Sequence, residues 1–211
     1  MRAYIYTGGC IDPAYITEQP EKEDLLIAAD GGWSNALTLH VEPTVLMGDL
    51  DSLGERKIPR DVEVFRVPAE KDLTDTQLAV ELALQRGARD IVIIGGLSRR
   101  LDHTLSNLAI LEHLHGLGVH GVINDGFNRA RFLRNGSTLI GRSGYRYLAL
   151  IAADPVVKGV DIDGVKYPLK NAGLRRAQQY AVSNELTGNC AFIAVRKGGL
   201  YIIESRDGNA E

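Results

Sequence analysis

The feature that most constrains this chain is a junction that recurs along its first half: a short apolar run stops and glycines and acids follow at once. LLIAADGG (residues 25–32), TVLMGDLDS (44–52) and IVIIGGLSRRLDH (91–103) have this form, and KDLTD (71–75) opens a helix-period segment between them. Short apolar runs that alternate with helix-period segments are the order of a mostly parallel sheet covered by helices, because parallel neighbours need a crossover to return. The pattern predicts strands at Ala3–Thr7, Leu25–Ala29, Thr44–Met47, Val62–Val67, Ile91–Ile94 and Val119–Ile123. A helix is predicted over Thr74–Arg86, where Thr74 and Gln77 have capping-box spacing, Leu78 and Leu82 share a face and Gly87 follows as a stop. Another is predicted over Asp102–Leu114, with Leu105, Leu108 and Leu111 three apart and glycines at 116 and 118 closing it.

Beyond about residue 127 strand patterns dominate. ARFLRNGSTLI is two strand-like runs joined by Asn135-Gly136, a strong local signal for a tight hairpin, and Lys197-Gly198-Gly199 is expected to turn the last one. The chain therefore divides into an α/β domain over residues 1–130 and a small all-β domain over 131–211.

Composition narrows the partners. With 45% hydrophobic residues, 24% charged residues and a net charge of −3 over 211 residues, there is material for real cores and no electrostatic reason to propose nucleic acid or an anionic membrane. MRAYIYTGGC lacks the long apolar region of a signal peptide, and no run approaches the roughly 20 apolar residues of a membrane span, so a cytoplasmic protein is expected. Cys10 and Cys190 lie far apart with no CxxC, fit neither a disulfide scaffold nor a zinc site, and read as small core residues. Trp33 reads as a core aromatic, and His40, His113, His115 and His120 have no ligand spacing with the acids.

In open α/β sheets ligands bind outside the carboxyl ends of the strands, so acids and glycines there carry the chemistry. Asp30, Gly31 and Gly32 allow close backbone approach to a phosphate, although Asp-Gly-Gly also makes an ordinary turn. Asp49 and Asp51 straddle one leucine, and if extended geometry persists both carboxylates point to one side. Two such acids repel unless a cation sits between them, which favours a hard divalent metal such as Mg²⁺ over a bare turn. Lys71, Asp72, Thr74 and Asp75 open a helix where Thr74 also serves as cap, and Arg100, Asp102 and His103 stand at another helix start, where guanidinium forks suit phosphate oxygens. Acids for Mg²⁺, cations for phosphate and glycines for close approach are the equipment of phosphoryl-group transfer, while both the P-loop and the G-x-G-x-x-G fingerprint are missing.

ADGG at 29–32, GDLDS at 48–52, KDLTDTQLA at 71–79 and RLDHTLSN at 100–107, in this order, resemble the thiamine pyrophosphokinase family, as do GVKYPL at 164–169 and Ser183-Asn184-Glu185. The resemblance implies a Rossmann-like, ATP-binding catalytic domain followed by a β-sandwich that binds thiamine, in a homodimer with thiamine near the subunit interface. It implies transfer of pyrophosphate from ATP to the thiamine hydroxyl with Mg²⁺ as cofactor, giving AMP and thiamine diphosphate. By the same resemblance Asp49, Asp51 and Asp75 hold metal and phosphate, Thr74, Lys71, Asp72, Arg100 and Asp102 complete the polyphosphate end, with His103 in the same motif, and Ser183 and Asn184 contact thiamine. Asp102 accepts or orients the hydroxyl proton or only binds. Arg99 stands where the family commonly has glycine. The competing readings are a pyrophosphokinase acting on a pterin alcohol, a phosphatase using Asp49 as nucleophile, and a non-catalytic Mg²⁺–nucleotide sensor.

Overall fold

The computed structural model describes residues 1–49, 59–67, 72–97 and 100–208, which fall into two compact units, Met1–Gly126 and Phe127–Glu211. In the first unit the strands are β1 (Arg2–Tyr6), β2 (Leu25–Ala29), β3 (Val45–Gly48), β4 (Glu63–Arg66), β5 (Asp90–Ile94) and β6 (His120–Asn124). The helices are α1 (Gly32–Thr38), α2 (Asp75–Gln85) and α3 (Leu101–Gly116). All neighbouring strand pairs in this unit are parallel, in the order β4-β3-β2-β1-β5-β6.

Near-continuous apolar runs such as LLIAA and DIVII suit strands buried on both faces, and both faces are covered. Tyr4, Tyr6, Val92 and Ile94 pack with Ala36 of α1, while Trp33 packs on Ala28 and Leu46. Gly121 of β6 meets Leu111 and Leu114 of α3 on the opposite face. The helices bury narrow stripes: Thr76, Ala79, Val80 and Ala83 on α2, and Asn107, Ile110, Leu111 and Leu114 on α3. Leu105 is exposed despite its spacing from Leu108 and Leu111, because a repeat of three falls behind the 3.6-residue helical turn. No described helix is long and apolar enough to cross a membrane.

The second unit holds β7 (Asn128–Arg134), β8 (Ser137–Gly141), β9 (Tyr147–Ala152), β10 (Val156–Asp163), β11 (Leu169–Arg175), β12 (Cys190–Lys197) and β13 (Gly199–Ser205). Its strands pair antiparallel in two groups, β7-β13-β9 and β11-β10-β12-β8, and residues from both groups, among them Leu150, Leu200, Val160 and Ile193, share one core.

Two expected hairpins are not hairpins. β7 pairs with β13 and β8 with β12, so Asn135-Gly136 carries the chain from one group of strands to the other. Gly198 does the same between β12 and β13. These corners are tied together: Gly198 N–H donates to Asn135 Oδ1 at 2.9 Å, and Asn135 N–H donates to Gly198 O at 3.3 Å. Both residues take positive φ, so the local turn signal is real, but the partner of each strand is chosen by the shared core. The cysteines also depart from expectation, since Cys10 and Cys190 are both exposed. Cys190 occupies an outward position of β12, whose neighbour Ala191 is the buried one.

Candidate active site

From β1 the chain moves through β2 and β3 to β4 on one side, then returns on the other side of β1 as β5. The loops after β1 and β5 therefore diverge, which is where an open parallel sheet leaves a crevice. A cleft of about 580 Å³ lies there. Thr7, Gly8 and Gly9 line it from the end of β1, Asp30 from β2 and Asp49 from β3. Asp72, Thr74 and Asp75 line it at the start of α2, with Gly96 after β5 and Arg100, His103 and Asn107 along α3.

Local structure explains the placement. Asp30 has φ of 48°, and its N–H donates to Met47 O at 2.8 Å, so the turn after β2 is stapled to the end of β3. Gly48 lies against the same turn, where an added Cβ would fall 3.3 Å from the Asp30 Cα, and Asp49 follows. The α2 start is fixed by the capping box: Gln77 N–H donates to Thr74 Oγ1 at 3.2 Å and the Thr74 N–H reaches Gln77 Oε1 at 3.4 Å. Asp75 sits in that first turn, where the helix end favours negative charge. Arg100 is the residue at the N-terminal boundary of α3, without a side-chain capping bond, and positions 100, 103 and 107 recur on one face.

Arg100 holds Asp102 in a forked ion pair, 2.6 Å from Nη2 and 3.3 Å from Nε. The guanidinium keeps the Asp102 carboxyl below the usual carboxylate range, which makes it a weak proton acceptor, and Asp102 is exposed outside the cleft lining. Gly31 and Gly32 follow Asp30: a Cβ added on Gly31 would lie 3.7 Å from the Gly8 Cα, and one on Gly32 would lie 1.9 Å from Tyr6 O. Asp51, Lys71 and Arg99 lie outside the described residues. Sequence reasoning does not find Thr7, Gly8, Gly9 or Asn107; applying the strand-end rule to β1, as to its neighbours, finds the first three.

Among the described residues, the carboxylates of Asp30, Asp49, Asp72 and Asp75 line this cleft together with the Arg100 guanidinium and the His103 imidazole. Carboxylate oxygen donors of this kind suit a hard divalent metal. Among the described residues, no three His, Cys, Asp or Glu side chains already form a metal cluster.

In the second unit Asn184 borders a cavity of about 110 Å³ with Tyr167, Tyr180, Leu148 and Leu150. Ser183, beside it, is exposed and takes φ of 54°.

The family model "Thiamin pyrophosphokinase, catalytic domain" matches residues 17–120, and "Thiamin pyrophosphokinase, vitamin B1 binding domain" matches residues 137–200. The chain belongs to the thiamine pyrophosphokinase family. The thiamine pyrophosphokinase of Bacillus subtilis is 29% identical over 197 residues, covering 91% of this chain and 92% of its own. The crystal structure of thiamine pyrophosphokinase from Bacillus subtilis superposes with a TM-score of 0.89 at 27% identity, covering 99% of this chain and 100% of its own. That of the Geobacillus thermodenitrificans protein gives 0.83 at 26% identity, with both chains fully covered.

Within the stretch matched by the B1-binding model, the Asn184 side chain is occupied by backbone. Its Nδ2 donates to Tyr167 O at 2.8 Å, and its Oδ1 accepts from Tyr167 N and Glu185 N, each at 3.0 Å. Asn184 is buried, so truncation strands several polar groups at once. Asn184→Ala is expected to lower stability by about 1–3 kcal/mol, seen as a fall in the urea midpoint. An unchanged midpoint would show that these bonds contribute nothing.

Proposed function

We propose that this member of the family transfers the terminal diphosphoryl group of ATP to the hydroxyl of thiamine, forming thiamine diphosphate and AMP. The observation that carries the reading is the four-carboxylate cleft with Arg100 and His103 at the reversal of strand order, in a chain matched by both the catalytic and the B1-binding models.

Asp49 and Asp75 fit Mg²⁺ as hard oxygen donors from neighbouring loops, and we assign Asp51, two positions along the chain, to the same set. When bound, the metal supplies charge neutralisation on the phosphate oxygens. Arg100 engages the polyphosphate, and Asp102 holds its guanidinium in place rather than acting as a base. His103, Lys71 and Asp72 complete the polyphosphate end, Thr74 fixes the helix start that carries Asp75, and the Asp30-Gly31-Gly32 turn receives the nucleotide closely. Attack by the thiamine hydroxyl on the β-phosphorus releases AMP. A loose phosphoryl-type transition state needs positioning and fixed charge more than a strong base, which agrees with the weak basicity of Asp102.

The reading extends to a Rossmann-like first unit, supported by its parallel strand order, and a sandwich in the second, supported by the core its two strand groups share. Thiamine is placed at Ser183 and the loop that Asn184 holds, near the interface of a homodimer. A cytoplasmic site suits an ATP-consuming enzyme whose two cysteines form no disulfide.

Purified protein with ATP, Mg²⁺ and thiamine is expected to release AMP, and EDTA to stop it. AMP release with a pterin alcohol and none with thiamine would overturn the substrate, and ATP binding without AMP release would overturn catalysis.

A further inference from the structure

The two glycine turns flanking the strand-order reversal are each held by an asparagine whose amide donates to backbone carbonyls. On α1, Asn35 Nδ2 donates to Thr7 O at 2.7 Å and to Gly9 O at 3.1 Å. On α3, the buried Asn107 donates through Nδ2 to Gly96 O at 2.9 Å. Thr7 lies between the two turns, with its Oγ1 donating to Ile94 O at 3.2 Å.

The packing leaves no room for a side chain at Gly95 or Gly96. A Cβ on Gly95 would fall 2.9 Å from Thr7 Oγ1, and one on Gly96 would fall 2.7 Å from Asn107 Nδ2. Gly9, Gly95 and Gly96 have φ of 106°, 91° and 80°, a region in which glycine peptides rotate at little cost. Without a clamp, these peptides would be free to turn carbonyl oxygens toward an incoming phosphate. In a trans peptide the carbonyl and the following N–H point in opposite directions, so holding the oxygens of Thr7 and Gly96 against the amides directs the N–H groups of Gly8 and Leu97 the other way.

We propose that Asn35 and Asn107 are positioning residues that fix the two glycine turns with backbone N–H groups presented to the polyphosphate of ATP, so that they set affinity for the phosphates rather than for the base. The proposal rests on the reading of this cleft as the ATP site.

The test measures binding of ATP with Mg²⁺, and separately of adenosine, to the wild type, Asn107→Ala and Asn35→Ala, together with KM for ATP and for thiamine. Each variant is expected to weaken ATP binding roughly tenfold and raise KM for ATP in parallel, the scale of one net hydrogen bond in a fixed geometry, with adenosine affinity and KM for thiamine held within about twofold. Equal losses for ATP and adenosine, or no loss for either, would overturn the proposal. Should Asn107→Ala fail to fold, Asn35→Ala, at a half-buried position, decides between these outcomes alone. A wild type that binds no ATP would instead refute the function proposed for the cleft.

Discussion

Asp75→Asn is expected to reduce thiamine-dependent AMP formation by roughly 10²–10³-fold, the scale on which removing one fixed electrostatic partner of a transition state acts. Asp75 is half-buried in the first turn of α2 and lines the same cleft as Arg100 and His103. The amide keeps the shape of the side chain and removes the charge proposed to hold a divalent cation. Folding should change little, because the Thr74–Gln77 capping box remains and the lost interaction with the helix end contributes only about 0.3–1 kcal/mol. Steady-state turnover together with a thermal melt checks both halves, and turnover within a few-fold of wild type would remove Asp75 from the metal set.

Gly32→Ala is expected to be among the most damaging single-methyl changes in the first unit. The added Cβ would lie 1.9 Å from Tyr6 O, 2.3 Å from Tyr6 C and 2.7 Å from Thr7 N, all of them backbone atoms that no rotamer change can move. Overpacking of a core costs typically about 1–3 kcal/mol, and a clash with main chain belongs at or above the top of that range. Because the displaced strand end runs directly into Thr7-Gly8-Gly9, activity should fall with stability. Gly31→Ala is the control: Gly31 has ordinary helical φ, the atom nearest its added Cβ would be the Gly8 Cα at 3.7 Å, and the urea midpoint should hardly move. Equal midpoints for the two variants would contradict the packing described for α1 against β1.

What the sequence makes legible follows from the range of each signal. Apolar runs and capping chemistry act over a few residues, so strands such as Leu25–Ala29 and the start of α2 at Thr74 are readable from local pattern. Strand pairing is decided across the chain, and there the Asn135-Gly136 and Gly198 signals mislead: they mark reversals correctly but not which strand becomes the neighbour. Cys10 and Cys190 are misplaced because a general tendency of cysteine to be buried says nothing about which face of a strand or loop it occupies. Asp49 stands out through its spacing from Asp51, and Asp30, Asp72 and Asp75 through their places at a strand end and a helix start. Asn35 and Asn107 do not, since an asparagine that acts by holding a distant carbonyl leaves no local mark.

The central claim is transfer of a diphosphoryl group from ATP to thiamine, and following the β-phosphate tests it most directly. With ATP labelled at the β-phosphorus, Mg²⁺ and thiamine, the account predicts that label appears in thiamine diphosphate with one AMP released for each molecule formed. Label retained in ADP, or AMP released without labelled thiamine diphosphate, would contradict it.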